Sequence, residues 1–166
     1  MDQTELREVQ APLKEHYRRE PSSAVITLGA ESRLDEGISC SIETGRALVQ
    51  AGLHPATGGS GRLACSGDML LQALVACAGV TLGAVATSLG IALRDARVRA
   101  EGDLDVRGTL GVTRDVPVGF KQIRLRFELD CDATPEQRAK LIELTERYCV
   151  VYQTLRSSPP LLTSHA

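Results

Sequence analysis

Five cysteines are the residues in this sequence best suited to chemistry: Cys40, Cys65, Cys77, Cys131 and Cys149. Their number is odd, their spacings are wide, and no Cys-x-x-Cys pair occurs. This pattern argues against the disulfide framework of a small secreted domain and against a zinc knuckle. Single thiols can still act as nucleophiles or as sites of reversible oxidation.

The three histidines lie near the chain ends or in a loop, at His16, His54 and His165. Metal ligands and Ser/His/Asp triads need histidine beside other ligands or nucleophiles, and this sequence offers little such material. We therefore expect no metal site and no cofactor.

Composition narrows the partners that the protein can have. The 166 residues carry a net charge of −2, so no basic field attracts nucleic acid or an anionic membrane. Tryptophan is absent and aromatic residues make up 3%, which argues against base stacking. Residues 1–20 are too charged for a signal peptide, and we expect no membrane-spanning apolar run of 18 residues. The expected compartment is the cytoplasm.

The sequence of the first third of the chain predicts an N-terminal arm followed by short strands. Residues 1–22 are polar and indicate a loosely attached arm, leaving residues 23–166 as a single domain. β-Branched and alternating residues predict a hairpin from strands 23–30 and 37–43, with its turn near 35–37, and a third strand over 46–50. Residues 54–61 follow as a loop rich in Pro and Gly.

A long helix is predicted from Ser66 to Leu89. Ser66 can cap it, Asp68 in the first turn suits the positive end of the helix dipole, and Gly90 supplies a stop. Apolar residues surround nearly the whole circumference, and such a helix must be buried on all sides. One small domain rarely covers so long a helix, which indicates a partner subunit.

The remaining chain predicts strands over 91–107 and 108–114, then a third over 121–131 with strict alternation of apolar and polar residues. Thr134-Pro-Glu-Gln137 starts a second helix with a capping box, and the helix runs to about Tyr148. Its apolar stripe is formed by Leu141, Leu144, Thr145 and Tyr148. Strands followed by helices in this order indicate an α+β fold.

Two cysteine motifs resemble those of the OsmC/Ohr family, the osmotically induced and organic hydroperoxide resistance proteins. SGDMLLQALVAC (66–77) is similar to the first, and ERYCVVYQTL (146–155) to the second, Cys-Pro-x-Ser-x-x-Leu. KQIRL (121–125), TPEQR (134–138) and the GGSG loop (58–61) also fit. The resemblance covers roughly residues 23–165.

The resemblance implies an intertwined homodimer in which antiparallel sheets pack around a long buried central helix. It also implies thiol-dependent reduction of small organic hydroperoxides, with Cys77 as the peroxidatic and Cys149 as the resolving thiol. An external dithiol, such as a lipoyl group, would restore the pair, since a sulfenic acid condensed to a disulfide needs a reductant. The substrate tail would lie against helix residues such as Leu74.

The family activates the first cysteine with an arginine from the early strands and a glutamate at the start of the cysteine helix. Arg33 stands where the hairpin would supply the arginine. Gly67 occupies the glutamate position, and the nearest carboxylate is Asp68. Two further departures are Val150 in place of proline and Tyr152 in place of serine.

Other interpretations of these residues remain open. Free cysteines are often small core residues, which is our expectation for Cys40 and Cys131, while Cys65 in its loop has no expected role. Arg33 fits a solvated hairpin residue equally well, and Asp68 fits plain charge compensation at a helix start. The chain as a whole could be a non-catalytic dimer that binds a small apolar ligand or, less in keeping with the sequence, a dimer that binds metal through Cys149 and a histidine.

Overall fold

The computed structural model describes residues 2–5, 8, 10–11, 19–20, 31–34, 39–43, 48–111 and 114–165. The named elements are, in chain order, β1 (Glu31–Leu34), β2 (Ser39–Glu43), β3 (Leu48–Gly52), a 3₁₀ turn (Pro55–Thr57), α1 (Ser66–Leu89), β4 (Leu93–Leu104), α2 (Val106–Thr109), β5 (Phe120–Cys131), α3 (Pro135–Tyr148) and α4 (Val150–Arg156). The architecture is α+β, as the order of sequence patterns predicts.

The first three strands form one antiparallel sheet in the order β1-β2-β3. The hairpin prediction is confirmed in part: β2 lies within the expected second strand, but its partner is Glu31–Leu34. The expected first strand, 23–30, and the turn near 35–37 lie outside the described residues. β3 begins and ends two residues later than the predicted 46–50.

Helix α1 has the predicted bounds, Ser66 to Leu89. The carbonyl of Cys65 accepts the hydrogen bond from the amide of Met69, so Ser66 occupies the first helical position and is not the cap. Gly90 ends the helix at φ +68°, a conformation that glycine adopts without strain.

A single chain leaves much of α1 uncovered. An 18-residue window of this helix has a mean hydropathy of 2.0, long and apolar enough to cross a membrane, so the expectation of no such run is wrong. The core helix of a soluble protein meets the same criterion, but only 28% of the window is buried here, and Val80 is 77% exposed. The predicted cytoplasmic location stays a prediction.

The segment after β4 is a helical turn, so the predicted strand over 108–114 is wrong. Asp105 caps α2 by accepting the amide of Arg107, and Gly111 follows at φ +67°. Gly108 packs against backbone, because an added Cβ would lie 2.8 Å from the carbonyl oxygen of Pro117. A strand pattern of short apolar residues is therefore overridden by a capping carboxylate and two glycines.

Strand β5 and helix α3 match their predictions closely. The burial of β5 alternates along its length, and β5 pairs with β4 in a two-stranded sheet. Thr134 and Gln137 form the capping box reciprocally, at 3.2 and 2.9 Å. Arg138, in the first turns of α3, donates to the carbonyls of Ala133, Leu129 and Cys131 and so fixes the helix start to the strand end.

Leu141 and Thr145 are the fully buried residues of α3, whereas Tyr148 is 60% exposed and does not belong to the predicted apolar stripe. Leu141 packs with α1 in one hydrophobic cluster, whose buried members are Leu82, Val85, Ala86 and Leu141. Partly buried apolar residues surround this cluster: Ile91, Leu93, Val98, Phe127, Leu129 and Leu144.

The chain divides into two compact units, Met1–Val9 with Ala73–Ala100 and Leu125–Ala166, and Gln10–Gln72 with Glu101–Arg124. The cluster and the site described below both lie within the first unit. In this unit Gln3 of the N-terminal arm donates to the carbonyl of Ser88. The prediction of a single domain over 23–166 stays a prediction.

Candidate functional site

Cys77 lies in the middle of α1, at the end of its third turn, and is partly buried. Ala78 and Leu74, on either side of it along the helix, belong to the buried face. The helix is uncharged after Asp68, and burial in apolar surroundings raises the pKa of a thiol. Cys77 therefore needs nearby hydrogen-bond donors if it is to ionise.

Cys149 lies at the junction of two helices. Its backbone has an extended conformation, with φ −74° and ψ 108°, so it ends α3 and caps α4 at the same residue. Its amide donates to the carbonyl of Thr145 at 2.9 Å, its carbonyl accepts from Gln153 at 3.0 Å, and its Sγ accepts from the amide of Tyr152 at 3.5 Å. The side chain is 1% exposed, so the thiol is held inside the protein.

The two thiols interact directly, and the start of α4 contributes to the same contact. Burial pushes the pKa of Cys77 upward, but the amide of Val151, the thiol of Cys149, the amide of Val150 and the hydroxyl of Thr81 together lower the pKa below its ordinary value. Among the described residues no charged side chain takes part. Within the described part of the chain, hydrogen bonds are thus what lowers the pKa of Cys77.

The pKa of Cys149 moves in the opposite direction. Burial is the largest cause of its rise, and the neighbouring Cys77 adds to it, while the amides of Tyr152 and Val151 oppose it. The pKa of Cys77 is lowered and that of Cys149 is raised, so when one thiol of the pair ionises it is Cys77, whose thiolate accepts a hydrogen bond from the Cys149 thiol. This is the arrangement of a nucleophile beside a thiol that can later condense with it.

The structure brings together two of the four predicted site residues. Asp68 lies in the first turn of α1, nine residues before Cys77, and is not one of the groups that shift the pKa of Cys77. Arg33 lies in β1 opposite Ser41, and its side chain lies outside the described part of the chain. Gly67 faces the ring of Phe120 and the thiol of Cys65 at 3.5–3.6 Å from an added Cβ. The catalytic roles of Asp68 and Arg33 stay predictions.

The other residues singled out in the sequence are the three remaining cysteines and Leu74. Cys131 is 3% exposed at the end of β5, as expected for a core residue, and Cys65 is partly buried before α1. Cys40 is on β2, as expected, with its side chain outside the described part. Leu74 is 2% exposed and therefore offers a bound substrate no open surface. Within the described ranges, no group of three His, Cys, Asp or Glu could hold a metal ion.

Sequence reasoning missed Thr81 and the amides of Val150 and Val151. Thr81 follows Cys77 by one helical turn, and this i, i+4 spacing is a signal that could have identified it. The amides could not be identified before the backbone at Cys149 was known. Val150, where the family has proline, begins α4 normally and supplies an N–H that proline lacks. The departure at this position therefore adds a donor and leaves the helix start intact.

A shallow groove of about 440 Å³ opens at the same helix junction. Arg147 and Tyr148 lie on one side of it, with the guanidinium carbon 5.7 Å from the centre of the tyrosine ring. The groove is mostly apolar, and its full lining is Arg147, Tyr148, Cys149, Val150, Gln153, Thr154, Ser157 and Pro159.

Several solved structures share this fold. An OsmC-like protein from Mycoplasma pneumoniae is 16% identical, with a TM-score of 0.68 over 80% of this chain and 89% of its own. An organic hydroperoxide resistance protein from Elizabethkingia anophelis, 18% identical, has a TM-score of 0.66 over 81% and 91%. Another, from Vibrio cholerae, has captopril bound in one of its active sites; it is 18% identical, with a TM-score of 0.56 over 81% and 89%.

At these identities the structural matches show the fold. A search of the curated proteins gives no significant match. The family model described as OsmC-like protein matches residues 59–164, which include α1, both cysteines of the pair and the junction between α3 and α4. The chain therefore belongs to the OsmC-like protein family.

Proposed function

We propose that this protein is a thiol-dependent peroxidase that reduces organic hydroperoxides. The Cys77 thiolate attacks the terminal oxygen of the hydroperoxide, which releases the alcohol after protonation and leaves Cys77 as a sulfenic acid. The Cys149 thiol attacks that sulfur, expels water and forms the Cys77–Cys149 disulfide. An external dithiol, for which a lipoyl group is a chemically suitable candidate, then reduces the disulfide and becomes a cyclic disulfide itself.

The observation that carries this proposal is the contact between two thiols whose pKa values shift in opposite directions. A peroxidatic thiol has to be ionised to attack, and a resolving thiol has to be held close enough to condense. Family membership supports the same chemistry, because some structural relatives are named for organic hydroperoxide resistance. The hydroperoxide substrate and the two cysteine roles belong to the proposal.

The test is a thiol count on denatured protein before and after one equivalent of cumene hydroperoxide. The wild type should lose two thiols rapidly, and mass spectrometry of peptides should find them joined as Cys77–Cys149. Cys77→Ser should lose none on this timescale. Cys149→Ser should lose one, as a sulfenic acid that dimedone traps.

Cys131→Ser is the matched control, since this thiol is buried but is no part of the pair. It should still lose two thiols. Survival of all thiols in the wild type would remove the peroxidase proposal altogether.

The active form, we further propose, is a homodimer. α1 presents an uncharged face of small and apolar residues to solvent in the single chain: Ala73, Ala76, Val80 and Gly83. Leaving an apolar helix face in water costs about 25 cal/mol for each Å² of apolar surface, and a second copy of the same face can cover it. The expected mass in sedimentation equilibrium is twice the 17.8 kDa of the chain.

Val80→Arg should shift this mass toward that of the monomer, because a charge would be buried at the centre of the contact. Glu143→Arg, at an exposed position of α3, is the control and should leave the dimer unchanged. A monomeric wild type at micromolar concentration would contradict the proposed dimer and would have no bearing on the proposed thiol chemistry.

A non-catalytic dimer that binds a small apolar ligand is the second candidate function. The specific observation in its favour is Gly67 at the family's glutamate position, with Phe120 and Cys65 as its neighbours. Without that carboxylate the site lacks one group that would orient a hydroperoxide. An apolar molecule carried through purification and identified by mass spectrometry, together with unreactive thiols, would favour this candidate.

A further inference from the structure

The two contacting thiols also form a compact set of soft ligands. Cys77 lies within α1 and Cys149 between α3 and α4, and their side chains contact each other. Cys149 is 1% exposed and Cys77 is partly buried, so the pair is largely shielded from water. Thiolate sulfur binds soft cations such as Cu(I) in preference to hard ones such as Mg²⁺ and Ca²⁺. The pair is therefore a candidate site for a soft cation.

The number of available ligands restricts which soft cation fits. Zn²⁺ in a structural site takes four nitrogen, sulfur or oxygen ligands. Across the ranges that the structure describes, no cluster of three His, Cys, Asp or Glu could hold a metal ion. The other groups in contact with Cys77 are backbone amides and the hydroxyl of Thr81, and an N–H donor cannot bind a cation. Two thiolates are enough for Cu(I) or Ag(I), monovalent d¹⁰ cations that accept linear coordination.

The charge of such a complex fits the surroundings of the pair. Both cysteines bind as thiolates and lose their protons to solvent, so one monovalent cation between them leaves one negative charge. A buried charge is unfavourable unless hydrogen bonds satisfy it. The amide of Tyr152 donates to the Sγ of Cys149 at 3.5 Å. The amides of Val150 and Val151 donate to Cys77. Three donors thus face the two sulfurs, and such hydrogen bonds orient and tune the ligands of a metal.

We propose that the reduced Cys77–Cys149 pair binds one soft monovalent cation, Cu(I) or Ag(I), through its two sulfur atoms. Binding transfers no electrons and needs only two free thiols, so this inference goes beyond the proposed peroxidase activity and does not depend on it. A disulfide between the same residues removes both thiolates and excludes the cation. Binding of the cation is therefore restricted to the reduced protein.

The first experiment is an anaerobic titration of the reduced protein with Cu(I), in competition with the chromophoric chelator bathocuproine disulfonate. The wild type should bind one Cu(I) per chain. Cys77→Ser and Cys149→Ser should each lose more than about 100-fold in affinity, since loss of an outer hydrogen-bond partner of a ligand already costs about 10–100-fold. Cys131→Ser removes a buried thiol outside the pair and is the matched control, with unchanged binding. Absence of binding by the wild type, or binding by Cys77→Ser as tight as that of the wild type, overturns the proposal.

X-ray absorption spectroscopy of the copper-loaded protein counts the ligands directly. The spectrum should show two sulfur neighbours around each copper atom. Three or four neighbours overturn the two-ligand site. Sedimentation equilibrium of the loaded protein should give the same mass as the metal-free protein, and a mass that rises with one equivalent of Cu(I) overturns the proposal by placing the cation between chains.

Alkylation of the wild-type protein keeps the test valid where a serine variant fails to fold. Copper-loaded and metal-free proteins are treated with iodoacetamide under argon, and peptide mass spectrometry gives the rate at each cysteine. Bound Cu(I) should slow alkylation of Cys77 by at least about tenfold, because the reaction needs a free thiolate. Alkylation of Cys65, a partly buried thiol outside the pair, should stay unchanged. Equal rates at Cys77 with and without Cu(I), or equal slowing at Cys65, overturn the site. Loss of two thiols to cumene hydroperoxide in a protein that binds no Cu(I) overturns this inference alone.

Discussion

The hydroxyl of Thr81 should measurably sustain the reactivity of Cys77, and Thr81→Val removes it with little change of shape. Thr81 lies one helical turn after Cys77 and is one of the four donors that lower the thiol's pKa. Valine keeps the branched side chain and has a similar helix propensity. The substitution therefore removes one hydrogen bond to the sulfur while α1 is retained.

The expected magnitude follows from the worth of a single hydrogen bond. Thr81 is the smallest of the contributions to the pKa of Cys77, so the ordinary net value of about 0.5–1.5 kcal/mol applies. At 1.36 kcal/mol for each factor of ten, this corresponds to a loss of roughly two- to twelvefold in the fraction of thiolate at pH values below the pKa. The rate of alkylation at such a pH should fall by about 1.5- to 5-fold, less than the loss of thiolate, because a thiolate of higher pKa is more nucleophilic, with a Brønsted coefficient of about 0.4–0.5.

The assay follows alkylation of Cys77 by iodoacetamide across a range of pH, with each thiol quantified by peptide mass spectrometry. In wild type the rate should rise with pH and level off where Cys77 is fully ionised. Because the hydroxyl stabilises the thiolate, the Thr81→Val curve should be displaced to higher pH. At high pH the Thr81→Val curve should reach the wild-type plateau or exceed it, since both proteins then present a thiolate and the less stabilised thiolate is the better nucleophile.

Thr87→Val is the control for loss of a threonine hydroxyl from the same helix. Thr87 donates to the carbonyl of Gly83 at 2.9 Å and is no partner of Cys77. Its curve should overlie that of the wild type. If the Thr81→Val curve also overlies that of the wild type, the Thr81 hydroxyl does not contact the Cys77 thiol. If it is lowered by the same factor at every pH, the substitution has changed access to the thiol. Either result would refute the reasoning.

Three further substitutions test the framework that holds the pair. Leu141→Ala should lower the free energy of unfolding in urea by about 2–5 kcal/mol, because Leu141 is 0% exposed within the core cluster. Arg138→Met should lower it by about 2–4 kcal/mol, as it removes the donors to two carbonyls of β5 and to that of Ala133; no loss would mean that water replaces them. Gly108→Ala should lower it by about 1–3 kcal/mol, since the new Cβ would meet backbone at 2.8–2.9 Å, whereas Gly119→Ala, with open space around it, should change it little.

The elements with a strong periodic signal were predictable from sequence. The capped helix α3 and the alternating strand β5 follow local rules that packing does not override, and α1 has the bounds that its apolar run and Gly90 suggest. The failed strand over 108–114 shows the limit. There the outcome depends on one carboxylate cap at Asp105 and on the close backbone approach at Gly108, neither of which has a periodic signature.

The two cysteines of the site could be identified from the sequence, but the interactions that lower the pKa of Cys77 could not. The resemblance implies activation by charge, through Arg33 and a carboxylate near Gly67, and the side chain of Arg33 lies outside the described residues. The described contacts of Cys77 are hydrogen bonds from Cys149, from Thr81 and from the amides of Val150 and Val151. Backbone amides have no sequence signature, and their direction is set by the extended conformation at Cys149, which only the folded chain determines.

Activation by backbone amides has a consequence for the pH dependence of the thiol pair. The amides of Val150 and Val151 do not titrate, so they stabilise a Cys77 thiolate at every pH. Burial meanwhile raises the pKa of Cys149 and favours its protonated form beside that thiolate. Val150→Pro tests the contribution of one amide, because proline keeps the helix start and removes one N–H. The alkylation of Cys77 by iodoacetamide below its pKa should then slow, and an unchanged rate would mean that the amide of Val150 does not stabilise the thiolate.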